Sequence, residues 1–255
     1  MQNLQDKTVI VTGGAGGIGS ATCRRFAEAG AKVAVFDMNL DAATKVAEDI
    51  KAAGGQAAAF KCDITNRTEV DAAVAGTIET LGPVDVLVNN AGWDVFKPFL
   101  KTVPEEWEKL IAINLTGALN MLHSVLPGMV ERNSGRVVTV ASDAARGGSS
   151  GEAVYSACKG GLVSLSKTLA REHSRHNITF NVVCPGPTDT ALLADVAEGA
   201  RDPAKLIEAF RSAIPLGRLG QPDDLAGAIV FFGSDAASFI TGQVISVSGG
   251  LTMHG

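Results

Sequence analysis

The chain has 255 residues, of which 46% are hydrophobic and 19% charged, with 29 Gly and 9 Pro. This composition is typical of a compact globular protein and excludes a disordered or fibrous chain. The formal net charge is −5 and the Lys and Arg residues are scattered. A nucleic-acid groove, which needs a basic stripe, is therefore not expected.

The sequence has no uninterrupted apolar run as long as the ~18 residues of a membrane span. Its first seven residues lack the basic and apolar regions of a signal peptide. The cysteines lie in apolar segments without Cys-x-x-Cys spacing, as small hydrophobic residues do. We therefore expect a cytoplasmic protein with reduced cysteines, no membrane contact and no metal site. The four cysteines are Cys23, Cys62, Cys158 and Cys184.

Short β-branched segments alternate with helical ones along the whole chain. Most of the strands are apolar on both faces, as in a parallel sheet that helices cover on each side. This alternation predicts a single α/β domain with a doubly wound, mostly parallel, seven-stranded Rossmann-like sheet. The predicted strands are Thr8–Thr12, Lys32–Phe36, Ala57–Phe60, Val84–Val88, Arg136–Val140, Thr179–Val183 and Val244–Val247. The predicted helices are Ile18–Ala29, Leu40–Ala53, Thr68–Leu81, Pro104–Arg132, Tyr155–Arg175 and Pro222–Gly233.

Two stretches carry signals beyond this alternation. The fourth helix is preceded by Thr102, with Glu105 three residues later, which is the spacing of a capping box. Residues 187–218 form a long stretch with one weak helical piece near Pro203–Ser212. Since loops of this length in compact domains are usually functional, we expect a substrate lid there, within one domain that spans residues 1–255.

A glycine-rich segment, Thr12-Gly-Gly-Ala-Gly-Gly-Ile-Gly19, follows the first strand and opens the first helix. Glycines in this position allow a tight turn and a close approach of a pyrophosphate to the backbone. The helix N-terminus offers free N–H groups and the positive end of its dipole to phosphates. The segment therefore predicts a dinucleotide site; the alternative is a glycine-rich turn without a ligand.

Two acidic residues follow the second and third strands. Asp37 stands 18 residues after Gly19, where a carboxylate accepts hydrogen bonds from an adenosine ribose and repels a 2′-phosphate. No Lys or Arg stands beside it or in the glycine segment, so NAD is predicted over NADP; the alternative for Asp37 is a helix cap. Asp63 has two interpretations: contact with the adenine amino group, or capping of the helix that begins near Thr65.

The only tyrosine, Tyr155, precedes Lys159 by four residues, which places both side chains on one helix face. A free tyrosine has a pKa near 10, and lowering it to about 7 needs roughly 4 kcal/mol of preference for the phenolate. One cation about 4 Å away supplies about that much at an effective dielectric near 20. We therefore predict that Lys159 and an oxidised nicotinamide ring together prime Tyr155 to take a proton from a secondary alcohol.

The motifs stand in an order and spacing that cover nearly the whole chain, and the sequence resembles the short-chain dehydrogenase/reductase family. The resemblance implies an NAD(P)-dependent alcohol dehydrogenase or carbonyl reductase on a Rossmann-like fold. The matching pieces are Thr12-Gly13-x-x-x-Gly17-Ile18-Gly19, Asn89-Asn-Ala-Gly92, Asn114, Ser142, Tyr155-x-x-x-Lys159 and Pro185-Gly186.

The resemblance assigns catalytic roles to Asn114, Ser142, Tyr155 and Lys159. It implies that Ser142 orients the substrate oxygen and that Asn114 holds a water joining Lys159 to bulk solvent. Simpler interpretations remain open for each residue. Ser142 can cap a turn, Asn114 can kink its helix through a satisfied buried amide, and Tyr155 can be a packing residue.

The resemblance also implies the contacts to NAD. Asn90 passes beside the adenosine, and Thr188 and Thr190 meet the carboxamide of the nicotinamide. The alternatives are a purely structural Asn90 and a Pro-Gly turn with incidental threonines. The full set of expected cofactor contacts is Gly13, Gly17, Ile18, Gly19, Asp37, Asp63, Ile64, Asn90, Tyr155, Lys159, Thr188 and Thr190.

Segments beside the expected active site, at residues 90–99, 142–146, 150–155 and 184–195, resemble a family member that acts on a cyclic hydroxyacyl-CoA. That resemblance implies NAD-dependent oxidation of 2-hydroxycyclohexanecarboxyl-CoA to 2-oxocyclohexanecarboxyl-CoA in alicyclic and aromatic acid degradation. Trp93 and the lid favour a mainly apolar pocket for this acyl-CoA substrate.

Two other functions stay open. The first is reduction of a 3-oxoacyl group on acyl carrier protein or CoA, a reaction that usually takes NADPH and is therefore disfavoured by Asp37. Arg132, Arg171 and Arg175 would dock an acidic carrier. The second is a non-catalytic NAD-binding regulator, which should lack part of the catalytic set. By family resemblance we also expect a homotetramer, formed through the two long helices and the C-terminal strand.

Overall fold

The computed structural model describes residues 4–198 and 202–253, which fold around one seven-stranded sheet. All neighbouring strands pair in parallel, in the order β3-β2-β1-β4-β5-β6-β7. The predicted single-domain fold class is therefore confirmed. The strands are β1 (Thr8–Thr12), β2 (Lys32–Asp37), β3 (Gln56–Lys61), β4 (Val84–Asn89), β5 (Gly135–Val140), β6 (Ile178–Pro185) and β7 (Val244–Val247).

The α-helices of the described residues connect these strands and cover both faces of the sheet. They are α1 (Gly17–Glu28), α2 (Leu40–Ala52), α3 (Arg67–Leu81), α4 (Pro104–Ile111), α5 (Gly117–Glu131), α6 (Ala144–Gly147), α7 (Ala153–His173), α8 (Ala191–Glu198), α9 (Pro203–Ala213) and α10 (Pro222–Gly233). The sequence pattern did not predict the short α6 or the apolar α8.

Two hydrophobic clusters fill the space between the sheet and its two helical layers. On one face, Phe26 of α1, Ile50 of α2 and Ile229 of α10 pack against buried strand residues. On the other face, α3, α5 and α7 contribute side chains that include Met121 and Met129. The central strands are buried on both sides, which explains their continuous β-branched sequences.

The long helix predicted at Pro104–Arg132 is interrupted by one π-helical turn, Ala112–Thr116. By length and composition alone, Pro104–Glu131 is apolar enough to cross a membrane, with a mean hydropathy of 1.3 and 44% of that apolar stretch buried. Its buried side chains, such as Leu122 and Val125, belong to the core beside the sheet. The segment is therefore a core helix of this domain.

The predicted cap of α4 is wrong by one residue. The helix begins after Val103, whose backbone N–H donates to Glu106 Oε2 at 3.0 Å. Thr102 instead donates its hydroxyl to Phe99 O and accepts from Trp107 Nε1, each at 2.7 Å. Pro104 explains the shift, because proline is most favourable at the first helical position and thus fixes where the helix starts.

The strand order reverses between β1 and β4 in the middle of the sheet: β2 and β3 follow on one side of β1, and β5, β6 and β7 follow on the other side of β4. Both strands end at the same edge, where the chain turns into the loops after β1 and β4. In open parallel sheets a ligand crevice forms outside the carboxyl ends of the strands at such a reversal. The fold therefore predicts the position of the site.

Candidate active site

A cavity of about 930 Å³ opens at this edge of the sheet. Every residue expected from the sequence to contact a cofactor or take part in catalysis lines it, except Asn114, which lies behind its wall. The glycine segment and Asp37 line one end of the cavity. Trp93, Phe96 and Phe210 lie with Tyr155 at the other end.

The glycine segment forms a cradle with no side chains in it. A Cβ on Gly13 would lie 2.9 Å from Ala91 Cα, and the φ of this residue is +60°. A Cβ on Gly17 would lie 2.8 Å from Thr190 Cγ2, and one on Gly19 would collide with the carbonyl oxygen of Gly13. Only glycine therefore allows these three stretches of backbone to pack together at the cavity.

Helix α1 begins in this cradle without a side-chain cap at Gly16. In contrast, α2, α3 and α9 have their first N–H groups capped by Asn39, Asn66 and Asp202. The N–H groups of the first turn of α1 are thus open to the cavity, where the positive end of the dipole favours an anion. A pyrophosphate fits this cradle, and a side chain does not.

Asn90 holds the glycine segment in place. Its side-chain Nδ2 donates to Thr12 O at 2.9 Å and to Gly13 O at 3.2 Å, and its backbone N–H donates to Thr12 Oγ1 at 3.0 Å. Because the side-chain amide of Asn90 already donates to protein backbone, these contacts favour the structural interpretation of this residue. The residue still lines the cavity beside Gly13.

Asp37 lies at the end of β2 and connects two loops. Its Oδ2 accepts from Ala15 N at 3.1 Å and its Oδ1 accepts from Asn39 N at 3.0 Å. The cap of α2 is Asn39, which accepts from Ala42 N, so the helix-cap interpretation of Asp37 is wrong. Among the described residues that line the cavity, the only cations are Lys109 and Lys159, and neither belongs to the glycine segment or to β2.

Asp63 and Ile64 line the same end of the cavity. Asp63 Oδ1 accepts from the backbone N–H of Thr65 at 2.9 Å and from its hydroxyl at 2.8 Å, which stabilises the turn before α3. The cap of α3 itself is Asn66. Asp63 thus has a local structural role and remains available at the wall of the cavity.

Tyr155, Lys159 and Ser142 form the polar group at the opposite end. Tyr155 and Lys159 lie in the first two turns of α7, and Lys159 Nζ is 5.5 Å from the centroid of the Tyr155 ring. Lys159 donates to Val140 O at 3.2 Å. Ser142 is hydrogen-bonded to Tyr155, and its Oγ also accepts from Ala144 N at 3.1 Å, so it caps the turn into α6 as well.

The electrostatics of this group depend mainly on burial. Burial, followed by the charges of Asp94 and Glu152, raises the pKa of Tyr155 above its ordinary value, and the bond from Ser142 opposes the shift. Burial also lowers the pKa of Lys159 to about 8. In the protein alone Tyr155 therefore stays protonated at neutral pH, and its priming by Lys159 together with an oxidised nicotinamide ring stays a prediction.

Asn114 lies at the centre of the π-helical turn and is 1% exposed. Its Nδ2 donates to Trp93 O at 2.7 Å and to Leu110 O at 3.0 Å, and its Oδ1 accepts from Trp93 N at 3.2 Å. The amide thus ties the helix to the loop after β4, as the simpler interpretation predicted. A Cβ on Gly92 would be 3.1 Å from Asn114 Oδ1 and 3.2 Å from Lys159 Nζ, so these two atoms face the same gap.

The expected lid consists of α8 and α9 within the described residues, and Leu193, Val196 and Phe210 of these helices line the cavity. Thr188 and Thr190 lie at its start: Thr188 donates to Gly186 O at 2.9 Å, and Thr190 accepts from Leu193 N at 3.3 Å near the beginning of α8. Both threonines face the cavity. Covering of the substrate by this segment stays a prediction.

The active-site loop is tied to the last strand. Ser246 of β7 donates to Asp143 Oδ1 at 2.5 Å, and Arg146 Nη1 donates to Ser246 Oγ at 3.1 Å. The backbone N–H of Asp143 donates to Pro185 O at 2.9 Å. These bonds fix the residue next to Ser142 from two neighbouring strands.

Sequence reasoning assigned no role to four charged residues of the cavity wall: Asp94, Lys109, Asp143 and Glu152. Lys109 Nζ lies 3.9 Å from the centroid of a Trp93 ring. The three acidic residues lie in segments that resemble a family member, but no motif indicated that their side chains line the cavity.

A phosphate cradle and a buried phenol line the same cavity of about 930 Å³. This arrangement defines a class of proteins, the dinucleotide-dependent oxidoreductases that act on alcohols or ketones.

Comparisons with known proteins agree with this class. A protein-family model described as enoyl-(acyl carrier protein) reductase matches residues 13–252. The 3-oxoacyl-[acyl-carrier-protein] reductase FabG of Thermotoga maritima is 36% identical over 98% of this chain and 99% of its own. The acetoacetyl-CoA reductase of Shinella zoogloeoides is 40% identical over 96% of this chain and 98% of its own.

Two further relatives extend the comparison. The (2S)-[(R)-hydroxy(phenyl)methyl]succinyl-CoA dehydrogenase subunit BbsD of Thauera aromatica is 36% identical, covering 98% of both chains. A solved structure of a variant of actinorhodin polyketide ketoreductase with NADPH superimposes with a TM-score of 0.93 at 33% identity, over 97% of this chain and 98% of that one. The chain belongs to the short-chain dehydrogenase/reductase family, and it is an oxidoreductase that binds a nicotinamide cofactor.

Proposed function

We propose that the protein interconverts 3-hydroxyacyl and 3-oxoacyl thioesters, with NAD(H) as the cofactor. The single observation that carries the proposal is that Ser142 and the buried residues Tyr155 and Lys159 line the same cavity as the glycine segment. The relatives named for 3-oxoacyl carrier protein and acetoacetyl-CoA reduction support a 3-oxoacyl thioester as the substrate. They favour it over the cyclic substrate expected from the sequence.

The residues at this end divide the work of moving one proton. Ser142 donates a hydrogen bond to the substrate oxygen and orients it toward Tyr155. Burial holds Tyr155 in its protonated form, which is the form that gives a proton to a ketone oxygen during reduction. In oxidation the Tyr155 oxygen has to lose its own proton before it can take one from the alcohol, and the Lys159 ammonium favours the resulting phenolate. NAD, when bound, supplies the hydride acceptor and a positively charged ring.

The choice of NAD over NADP rests on Asp37. Its carboxylate lines the end of the cavity where the first helix begins, and no cation of the described lining stands near it. A 2′-phosphate placed there would meet a fixed negative charge. The ketoreductase structure contains NADPH, so the preference of this chain needs a direct measurement.

A narrower candidate within the same class is 2-hydroxycyclohexanecarboxyl-CoA. Its ring hydroxyl also lies on the carbon β to the thioester carbonyl, so both substrates present the same reacting group. Residues of the segments that carry the resemblance, including Asp94, Phe96 and Leu193, line the cavity. Initial rates on this compound and on 3-hydroxybutyryl-CoA separate the two candidates.

The test of the proposed function is turnover by the purified protein of acetoacetyl-CoA with NADH and of 3-hydroxybutyryl-CoA with NAD. Tyr155→Phe should lower kcat by about 1,000-fold, since it removes the only group that transfers the proton. Thr80→Val, on the exposed side of α3 and away from the helices expected to associate, serves as the control. Undiminished turnover by Tyr155→Phe contradicts the mechanism, and absence of turnover by the unaltered protein contradicts the substrate class.

A homotetramer is part of the proposal. Apolar side chains remain exposed on the two surfaces expected to associate: Ile111 and Leu119 are 43% and 42% exposed, and Phe239, just before β7, is fully exposed. Strand β7 is itself only partly covered. Sedimentation equilibrium at micromolar concentration should give four times the monomer mass of 26.2 kDa, and a monomer would contradict it.

A further inference from the structure

Two carboxyl side chains, Asp94 and Glu152, meet in the wall of the cavity beside Tyr155. Asp94 lies in the loop after β4 and is 8% exposed, while Glu152 is half-buried directly before α7. Both line the cavity, and the two side chains hydrogen-bond to each other. The proposed proton transfer uses neither residue.

The two loops that carry these carboxyls are locked together. Lys97 N donates to Gly151 O at 2.8 Å, and a Cβ on Gly151 would lie 3.0 Å from the ring of Phe96. Asp94 Oδ1 also accepts from Val95 N at 2.7 Å. The pair is therefore a built part of the wall, with its geometry set by both loops.

A hydrogen bond between two carboxyl groups needs a proton, because an ionised carboxylate only accepts. Burial, followed by the hydrogen bond and the charge of Glu152, raises the pKa of Asp94 to about 8. At neutral pH Asp94 thus keeps its proton, and Glu152 acts on it as the negative partner.

Other charged groups also line the cavity. Lys159 lies with Tyr155 on α7, Lys109 stands on the Trp93 ring, and Asp143 follows Ser142 in the loop after β5. Asp94 and Glu152 both raise the pKa of Tyr155, after its burial, so the pair acts on the phenol as a negative neighbour.

We propose that the Asp94–Glu152 pair is a specificity-determining element that admits an uncharged acyl thioester and rejects the corresponding free acid. This inference rests on the proposed function. A free 3-hydroxy acid carries its carboxylate two bonds from the carbon that reacts, so its charge has to lie near the phenol oxygen. If the carboxylate of the acid lies about 6 Å from one negative charge of the pair, at an effective dielectric near 20, the repulsion corresponds to about 100-fold preference for the thioester over the free acid.

The experiment compares kcat/KM for 3-hydroxybutyryl-CoA and for 3-hydroxybutyrate, with NAD, in the unaltered protein, Glu152→Gln, Asp94→Asn and the double variant. The ratio of thioester to acid should fall by about 10-fold to 100-fold in the double variant. The inhibition constant of 3-hydroxybutyrate against the thioester should fall in parallel. Glu131→Gln, an exposed carboxylate at the end of α5, controls for total charge and should leave the ratio unchanged.

The pH dependence adds a second readout. In the unaltered protein the ratio should rise between pH 7 and pH 9, because Asp94 loses its proton near pH 8 and adds a negative charge. In the double variant the rise should be smaller, and what remains reports Lys159, whose pKa is also about 8.

Two outcomes overturn the inference. The first is a double variant that still turns over the thioester with the same ratio of thioester to acid as the unaltered protein. The second applies if the double variant does not fold: Glu152→Gln then has the same ratio and the same inhibition constant for 3-hydroxybutyrate as the unaltered protein. Glutamine keeps the length of Glu152 and can still bond to Asp94, so this single variant should preserve the wall. Absence of thioester turnover in the unaltered protein contradicts the proposed function instead, which separates the two failures.

Discussion

The two ends of the cavity are made in different ways. The phosphate end consists of backbone: glycines at positions 13, 17 and 19 bring three stretches of chain together and leave the start of α1 open. The acyl end consists of side chains from elements far apart in sequence, such as Asp94, Glu152 and Phe210. A site made of backbone is specified by a short local motif, whereas a site made of side chains exists only once the topology has assembled it.

The largest effect in this comparison is expected from removing the charge of Lys159, the buried cation at the acyl end. Lys159→Met should lower kcat by about 1,000-fold, as loss of a group that supports proton transfer does. Lys51→Met, at an exposed lysine near the end of α2 and away from the helices expected to associate, is the matched control. Retention of more than a tenth of the activity would mean that the charge of Lys159 is dispensable.

The same variant should gain stability, because burial of the ammonium lowers the pKa of Lys159 to about 8. Between that pH and the ordinary pKa of 10.5, the folded state binds fewer protons than the unfolded state, so the stability of the unaltered protein rises with pH. Removal of the charge should raise the free energy of unfolding by about 1–3 kcal/mol at pH 7 and by less at pH 10. Urea denaturation at the two pH values measures the difference.

The next effect probes the phosphate end. Gly19→Ala places a Cβ against the carbonyl oxygen of Gly13, so the cradle has to open. Since overpacking costs about 1–3 kcal/mol, NADH should bind up to about 100-fold more weakly. Gly227→Ala, in a part of α10 with no atom near the added Cβ, should leave binding unchanged. Equal NADH affinity in the two variants, measured by fluorescence titration, would show that the cradle tolerates side chains.

The smallest effect concerns the choice of cofactor. Asp37→Asn keeps an acceptor for Ala15 N or Asn39 N and removes the charge. The ratio of the dissociation constants for NADPH and NADH should fall by about 10-fold, the equivalent of 1.4 kcal/mol. Asp41→Asn, an exposed residue of the first turn of α2, is the control. A ratio that does not change contradicts the proposed role of Asp37 in selecting NAD.

The sequence predicted most of the fold because strands and helices leave periodic signals of their own. All seven strands were placed within one or two residues and the parallel, doubly wound sheet was expected, whereas the order of the strands came from the structure alone. The π-helical turn at Ala112–Thr116 left no such signal, because it depends on the bonds that Asn114 makes to Trp93 across a gap of 21 residues.

The site was predictable only as far as its motifs extend. The residues that line the cavity include Tyr155, Lys159 and Ser142, as expected. The sequence-based argument weighed the charges of Lys159 and an oxidised nicotinamide ring against the burial of the phenol, but it could not include the carboxyls of Asp94 and Glu152, which also raise the pKa of Tyr155. Desolvation depends on the surrounding fold, and no local pattern reports it.

The bond between Ser246 and Asp143 makes the C-terminal strand part of the catalytic apparatus. It reaches back across 103 residues, from the last strand to the loop that carries the substrate-orienting serine. A chain truncated before Ser246 would keep the bond from Asp143 N to Pro185 O but would lose this second anchor. Such a truncation should therefore impair turnover although it removes no residue that contacts the substrate.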